Sequence, residues 1–392
     1  MKVPYHRFLA ALCALSFLFV ALFSTAALAA ETENQTADTL TSEDAAQMQL
    51  ADDAVTALTE SDEFAELDRS ERLRAALDQV NELADSGLIL PRSIFVDEEN
   101  GMVSFEYTCG VLGGILVDEP EEENVAAMPD VNLQEMSNAA KGDHGTAMIY
   151  YAFDNTVNSS RYPYYSYMKG FWTAMGLTTR IDTKVTVSNL RWMDRYDLCI
   201  LSAHGAYYTY TRGWLWKHTR TEPIILLTEE TSFAQDLAYG LDLLTHRVIK
   251  INGRYCVTPS FFKNAYRFGQ LKDTIIFSET CEFLGVDNSI DTSMADALIA
   301  GGAKGVIGYV NNVYTVYSRS MLWDTVNHLI SGQTLEASLQ HASDTYGAND
   351  LIWYTSQGGK RPHAAAAYPL LFGDFGATLD VTPSESTEQQ AA

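Results

Sequence analysis

Two stretches of this chain end apolar runs on groups that do chemistry. In Leu198-Cys199-Ile200-Leu201-Ser202-Ala203-His204-Gly205, a buried-strand pattern stops at an imidazole backed by a glycine. In Ile275-Ile276-Phe277-Ser278-Glu279-Thr280-Cys281, a second such run stops at a thiol, 77 residues after His204. An imidazole beside a thiol holds it as thiolate and later protonates a leaving amine. Backbone N–H groups at Gly205 and Cys281 would hold the oxyanion of such an acyl transfer. The glycine has its own use, since without a Cβ it lets another backbone come close.

Taken singly, neither residue is diagnostic. A strand-end histidine alone is more often a satisfied structural group, and a cysteine alone is more often inert and buried. The polar setting Ser278-Glu279-Thr280-Cys281-Glu282 argues against a core position for the thiol. The second His-Gly pair, His144-Gly145, precedes its strand and would emerge at the opposite edge of a parallel sheet. His218, His246, His328, His341 and His363 show no metal spacing such as H-E-x-x-H, so no metal site is expected. There is no G-x-S-x-G elbow and no P-loop.

The elements that must position these groups follow from periodicity. From residue 145 strands alternate with helices, which predicts an α/β domain with a mostly parallel sheet covered on both faces. Strands are expected at 146–153, 184–188, 197–203, 273–280 and 304–310, with helices over 162–177 and 291–302 and two more across 318–345. Residues 206–245 read as an irregular aromatic-rich insertion, followed by a hairpin turned on Asn252-Gly253. A short strand pair is expected in "YPLLFGDFGATLDV". In an open parallel sheet functional groups gather beyond the carboxyl ends of the strands. His204 and Cys281 therefore share an edge if their strands are neighbours.

Ahead of this domain, residues 31–66 read as loose, acidic chain, 62–87 as a helix, and "SIFVDEENGMVSFEYTCGVLGGILV" as a hairpin on Asn-Gly. The stretch "DEPEEENVAAMPD" is a linker, and a boundary is placed near residue 140. At the start, Lys2 and Arg7 precede an apolar run over 8–26 and an A-x-A site at Ala27-Leu28-Ala29. That is the pattern of a cleaved export signal over 1–30, preferred to a retained anchor because a polar segment follows at once. The expected layout is thus a signal at 1–30, a small α+β N-terminal region at 31–140, the main domain at 141–380 and a disordered tail at 381–392.

The composition sets limits. With 26 Lys and Arg against 51 Asp and Glu the net charge is −25, which disfavours nucleic acid and anionic membranes as partners. A content of 47% hydrophobic residues suffices for a sizeable core. Four cysteines lie beyond the signal, Cys109, Cys199, Cys256 and Cys281, too few for a disulfide framework. A Cys109–Cys256 bridge stays open.

The two strand ends, in this order, resemble the clan of cysteine peptidases that contains caspases, legumain, clostripain, gingipains and separase, with the related CHAT domains. "MADALIAGGAKGVIGYVNNV" is similar to the clan's helix and glycine-rich turn into the next strand. "YPLLFGD" is similar to its closing segment, although Phe375 stands where proline is usual. The resemblance spans residues 145–380, closest in pattern to gingipain, clostripain and CHAT relatives. It implies a caspase-like three-layer sandwich, Cys281 as nucleophile and His204 as general acid/base. It also implies that Glu279 lines the S1 pocket, where a carboxylate attracts Arg or Lys side chains. The expected protein is a secreted cysteine endopeptidase acting on polypeptides after basic residues, with residues 31–140 as a propeptide of zymogen type. No cofactor is indicated by the residues; calcium is admitted only by the resemblance. No membrane contact is expected once the signal is removed, and the oligomeric state is open. The alternative is an inactive caspase-like or CHAT-like binding module with a vestigial dyad.

Overall fold

A computed structural model of the chain describes residues 42–98, 101–117, 145–153, 163–212, 218–251, 253–351 and 366–379. The expected export signal, the expected boundary near residue 140 and the C-terminal tail lie outside the described residues.

The N-terminal part contains helices α1 (Ser42–Thr59), α2 (Asp62–Glu66) and α3 (Arg69–Asp85), then strands β1 (Phe95–Asp97), β2 (Met102–Glu106) and β3 (Leu112–Leu116). Next come β4 (Thr146–Tyr151), α4 (Pro163–Ala174), β5 (Thr178–Asp182), β6 (Leu198–Ser202), β7 (Gly205–Arg212) and β8 (His218–Glu230). They are followed by α5 (Phe233–Ala238), α6 (Gly240–Leu244), β9 (Val248–Ile251), β10 (Arg254–Val257), α7 (Pro259–Ala265) and β11 (Ile275–Ser278). The chain continues through β12 (Gly285–Val286), β13 (Ser289–Ile290), α8 (Ser293–Ala300), β14 (Gly305–Val310), α9 (Thr315–Ile330), α10 (Leu335–Tyr346) and β15 (Tyr368–Gly373).

The main sheet has six strands in the order β15-β14-β11-β6-β4-β5. All neighbours are parallel except β14 and β15. Strands in the middle of a parallel sheet lie under cover on both sides and read as continuous apolar runs. Every residue of β6, β11 and β14 is buried. Their side chains alternate between two cores. Leu198, Ile200, Ile275, Phe277, Ile307 and Tyr309 pack with α4, α9 and α10. Cys199, Leu201, Ile276, Val306 and Val310 pack with α7, α8 and part of a second sheet. The aromatic residues of α4 include core packing: Trp172 is fully buried, and its Nε1 donates to Asn327 Oδ1 of α9 at 2.9 Å.

The second sheet has the order β7-β8-β10-β9. The insertion expected to be irregular is therefore strand through much of its length. Its runs Tyr207-Tyr208 and Ile224-Ile225-Leu226-Leu227 carry strand-forming residues, and β8 pairs antiparallel with β10 of the expected hairpin. The outer ends of β7 and β8, residues 209–212 and 218–220, belong to a separate compact unit and are extended strand. The N-terminal elements share a core with this sheet: Val80, Leu83, Val103, Phe105 and Ile115 pack with Ala206, Ile224, Ile249, Ile251 and Cys256.

Four further expectations are corrected. Residues 42–59, read as loose, form α1, and the single helix over 62–87 is split in two. The break is a capping box, in which Asp68 accepts from the Glu71 N–H and Glu71 accepts from the Asp68 N–H. The strand expected at 184–188 stands instead at Thr178–Asp182. Val185 and Val187 are buried, but side chains of β8 partner their backbone: Val187 N–H donates to Glu229 at 2.8 Å and Thr228 donates to the Val185 carbonyl. Among the described residues the expected terminal strand pair shows one strand, β15, paired with β14. None of Cys109, Cys199, Cys256 and Cys281 is in a disulfide, which closes the question of a Cys109–Cys256 bridge.

Candidate active site

The two chemistry-bearing strands are direct neighbours. β6 and β11 run parallel with Leu198 opposite Ile275 and Leu201 opposite Ser278, and the Glu279 N–H extends the ladder to the Leu201 carbonyl at 2.8 Å. His204 lies three residues beyond Leu201, and Cys281 three beyond Ser278. The register thus brings both to the carboxyl edge of the sheet at matched height.

Gly205 explains its own presence. A Cβ built on it would stand 2.2 Å from the Cys281 carbonyl oxygen and 2.2 Å from Thr280 Cγ2. Only a residue without a side chain lets these two backbones meet. The close approach couples the turn after β6 to the turn after β11.

His204 is half-buried, with its ring edge-on to Phe153 at a centroid distance of 4.7 Å, and its carbonyl accepts from the Leu226 N–H. Burial pushes its pKa down to about 4, and the Arg254 charge adds to the shift. The imidazole is therefore neutral near pH 7 and holds a free lone pair. Cys281 is also half-buried, and its Sγ lies 3.7 Å from the Val313 carbonyl in the segment leading into α9. Thr280 between them and the strand is fully buried.

Glu279 is only 5% exposed. Tyr165 of α4 donates to its Oε2 at 3.0 Å, and Ser318 of α9 lies 3.4 Å from Oε1. Tyr165 also meets Ser202 of β6 at 3.0 Å. Burial pushes the Glu279 carboxyl up to about 7, against the opposing pull of these hydrogen bonds and of Arg319. Arg319 is buried too, stacks its guanidinium over the Tyr164 ring at 3.4 Å, and leaves Nη2 without a hydrogen-bond partner. The expected pocket acid thus sits inside a polar cluster with its own cation. Sequence reading missed Arg319 and Tyr165, because nothing in the spacing of α4 and α9 ties them to β11.

The N-terminal region reaches the same neighbourhood. The Asn312 side chain, one residue before Val313, donates to the Gly110 carbonyl at 2.7 Å. Tyr314 donates to Asp97 at 3.2 Å and meets Phe95 edge-on. The backbone that carries the acceptor for the Cys281 thiol is therefore held by the turn before β3 and by β1.

A second cluster was also missed. Asp324 and His328 of α9 converge with His341 of α10, one ligand atom of each within 4.8 Å of the others. The available signal was a D-x-x-x-H pair at helical spacing followed by a histidine on the next antiparallel helix. His218 and His363 lie where side chains are not described, and His246 stands elsewhere in a left-handed turn. No helix among the described residues is long and apolar enough to cross a membrane. No protein-family profile matches the chain, and no curated protein matches it either.

Proposed function

We propose that the chain is an exported cysteine endopeptidase with a caspase-like three-layer fold, in which Cys281 is the nucleophile and His204 its acid/base. One observation carries this reading: parallel, register-matched strands end in His204-Gly205 and Thr280-Cys281, and Gly205 admits the Cys281 backbone. A neutral imidazole takes the thiol proton as the sulfur attacks the scissile carbonyl, and the imidazolium then protonates the leaving amine. The N–H groups of Gly205 and Cys281 stabilise the oxyanion. Hydrolysis of the thioester regenerates the thiol.

Glu279 is the specificity residue in this reading, but its charge is conditional. Its carboxyl ionises near pH 7, and Arg319 competes with any substrate cation. Preference for Arg or Lys before the scissile bond therefore grows as pH rises through about 7. The N-terminal region, docked on residues 312–314, is a zymogen-type brake on the same edge.

A panel of fluorogenic peptides ending in Arg, Lys, Asn or Asp, assayed at pH 6 and pH 8 with and without prior limited proteolysis, tests the proposal. Turnover that is abolished by Cys281→Ala and by His204→Ala supports it. No turnover by the wild type under either condition overturns it. It would leave a second reading, a caspase-like binding module with a vestigial dyad.

A further inference from the structure

The pair of helices behind the sheet holds a constellation that the peptidase reading does not use. Asp324 and His328 stand one helical turn apart on α9, and His341 faces them from α10. Asp324 is almost wholly buried, and imidazole nitrogens approach both its oxygens: His341 Nδ1 at 2.7 Å from Oδ2 and His328 Nε2 at 3.7 Å from Oδ1. The two imidazole rings are 3.8 Å apart between centroids, inclined at 45°. Two basic rings pressed together over one carboxylate repel each other when both are charged. A divalent cation between them replaces the protons and lets each ring present a lone pair.

We propose that Asp324, His328 and His341 form a binding site for a zinc-type divalent transition-metal ion. Two imidazoles and one carboxylate are the donor set such ions favour, whereas calcium and magnesium require oxygens. Tetrahedral coordination at zinc distances places ligand atoms about 3.3 Å apart, so side-chain rotation must open the His341–Asp324 pair from 2.7 Å and close pairs that lie up to 4.8 Å apart. Gln333 supplies the outer support. Its Nε2 lies 2.9 Å from His328 Nδ1; turning the amide over puts the oxygen there instead, where it accepts Nδ1–H and leaves the imidazole Nε2 to the metal. His341 is half exposed, which leaves a fourth position for water. The bound ion clamps α9 to α10, and α9 also carries Ser318 and Arg319 against Glu279.

The test uses the full chain carrying Cys281→Ser, so that no thiolate at the candidate active site competes for metal. After chelation and dialysis, zinc titration by calorimetry is expected to give one saturable site per chain. Cobalt in its place is expected to give ligand-field bands without a thiolate charge-transfer band. His341→Ala, a half-exposed position that does not threaten the fold, is expected to weaken binding a hundredfold or more and to abolish the zinc-dependent rise in Tm. Gln333→Ala is expected to weaken binding by roughly tenfold. Absence of saturable binding, a thiolate band, or binding indifferent to His341→Ala overturns the proposal. Each outcome is independent of whether the chain cleaves peptides.

Discussion

At the scale of single residues, the site is governed by two opposed shifts. His204 is lowered from 6.5 to about 4, so the folded state refuses a proton that the unfolded chain accepts between those values. Its contribution to stability is complete above pH 6.5 and is lost as pH falls to about 4. Glu279 is raised from 4.5 to about 7, so the folded state prefers the protonated form. That contribution is complete below pH 4.5 and is lost as pH rises through 7. In kinetics, kcat/KM is expected to rise with pH through about 4 as His204 loses its proton. On Arg substrates a second limb near pH 7 is expected, and a pH–rate profile of Glu279→Gln should lack that limb alone. Gly205→Ala forces a Cβ into the Cys281 carbonyl. Overpacking of that kind costs about 1–3 kcal/mol, which urea denaturation would measure alongside a loss of turnover.

At the scale of elements, the strands that carry the site were readable because they are buried on both faces, and burial leaves an apolar run that composition alone reveals. β6, β11 and β14 were expected within one or two residues of where they stand. The edge strand was not: β5 has only partial burial, with exposed residues at alternate positions, and its neighbour Val185-Thr186-Val187 mimics a strand while bonding to side chains. β7 and β8 were hidden for a related reason, since Ala206 and Ile224 pack against the N-terminal region, distant in sequence. His204, Gly205 and Cys281 could be singled out because each ends or follows a buried run. Arg319 could not, because it meets its partners only after helices fold across the sheet, and the Asp324–His328 spacing does not by itself say that His341 joins it. The α4–α9 contact offers a test of this packing. Trp172→Phe keeps most of the apolar contact but leaves the buried Asn327 oxygen without its donor, an expected cost of about 1–3 kcal/mol in urea denaturation.

At the scale of the whole molecule, the N-terminal elements are not a free appendage. They complete the core of the second sheet and grip residues 312–314 beside Cys281. Asn312→Ala removes the bond to Gly110 and is expected to speed protease cleavage within residues 42–117. In the proposed enzyme the same change raises peptide turnover before any processing. Slower or unchanged cleavage would argue that the apolar core alone holds the region.

The central claim is that His204 and Cys281 act as one unit at a shared rim, and covalent labelling by an electrophilic peptidyl ketone reports on it most directly. Mass spectrometry is expected to find a single adduct on Cys281 in the wild type, with the labelling rate falling about a hundredfold or more in His204→Ala. Labelling that spares Cys281, or proceeds at the same rate without the imidazole, would contradict the account.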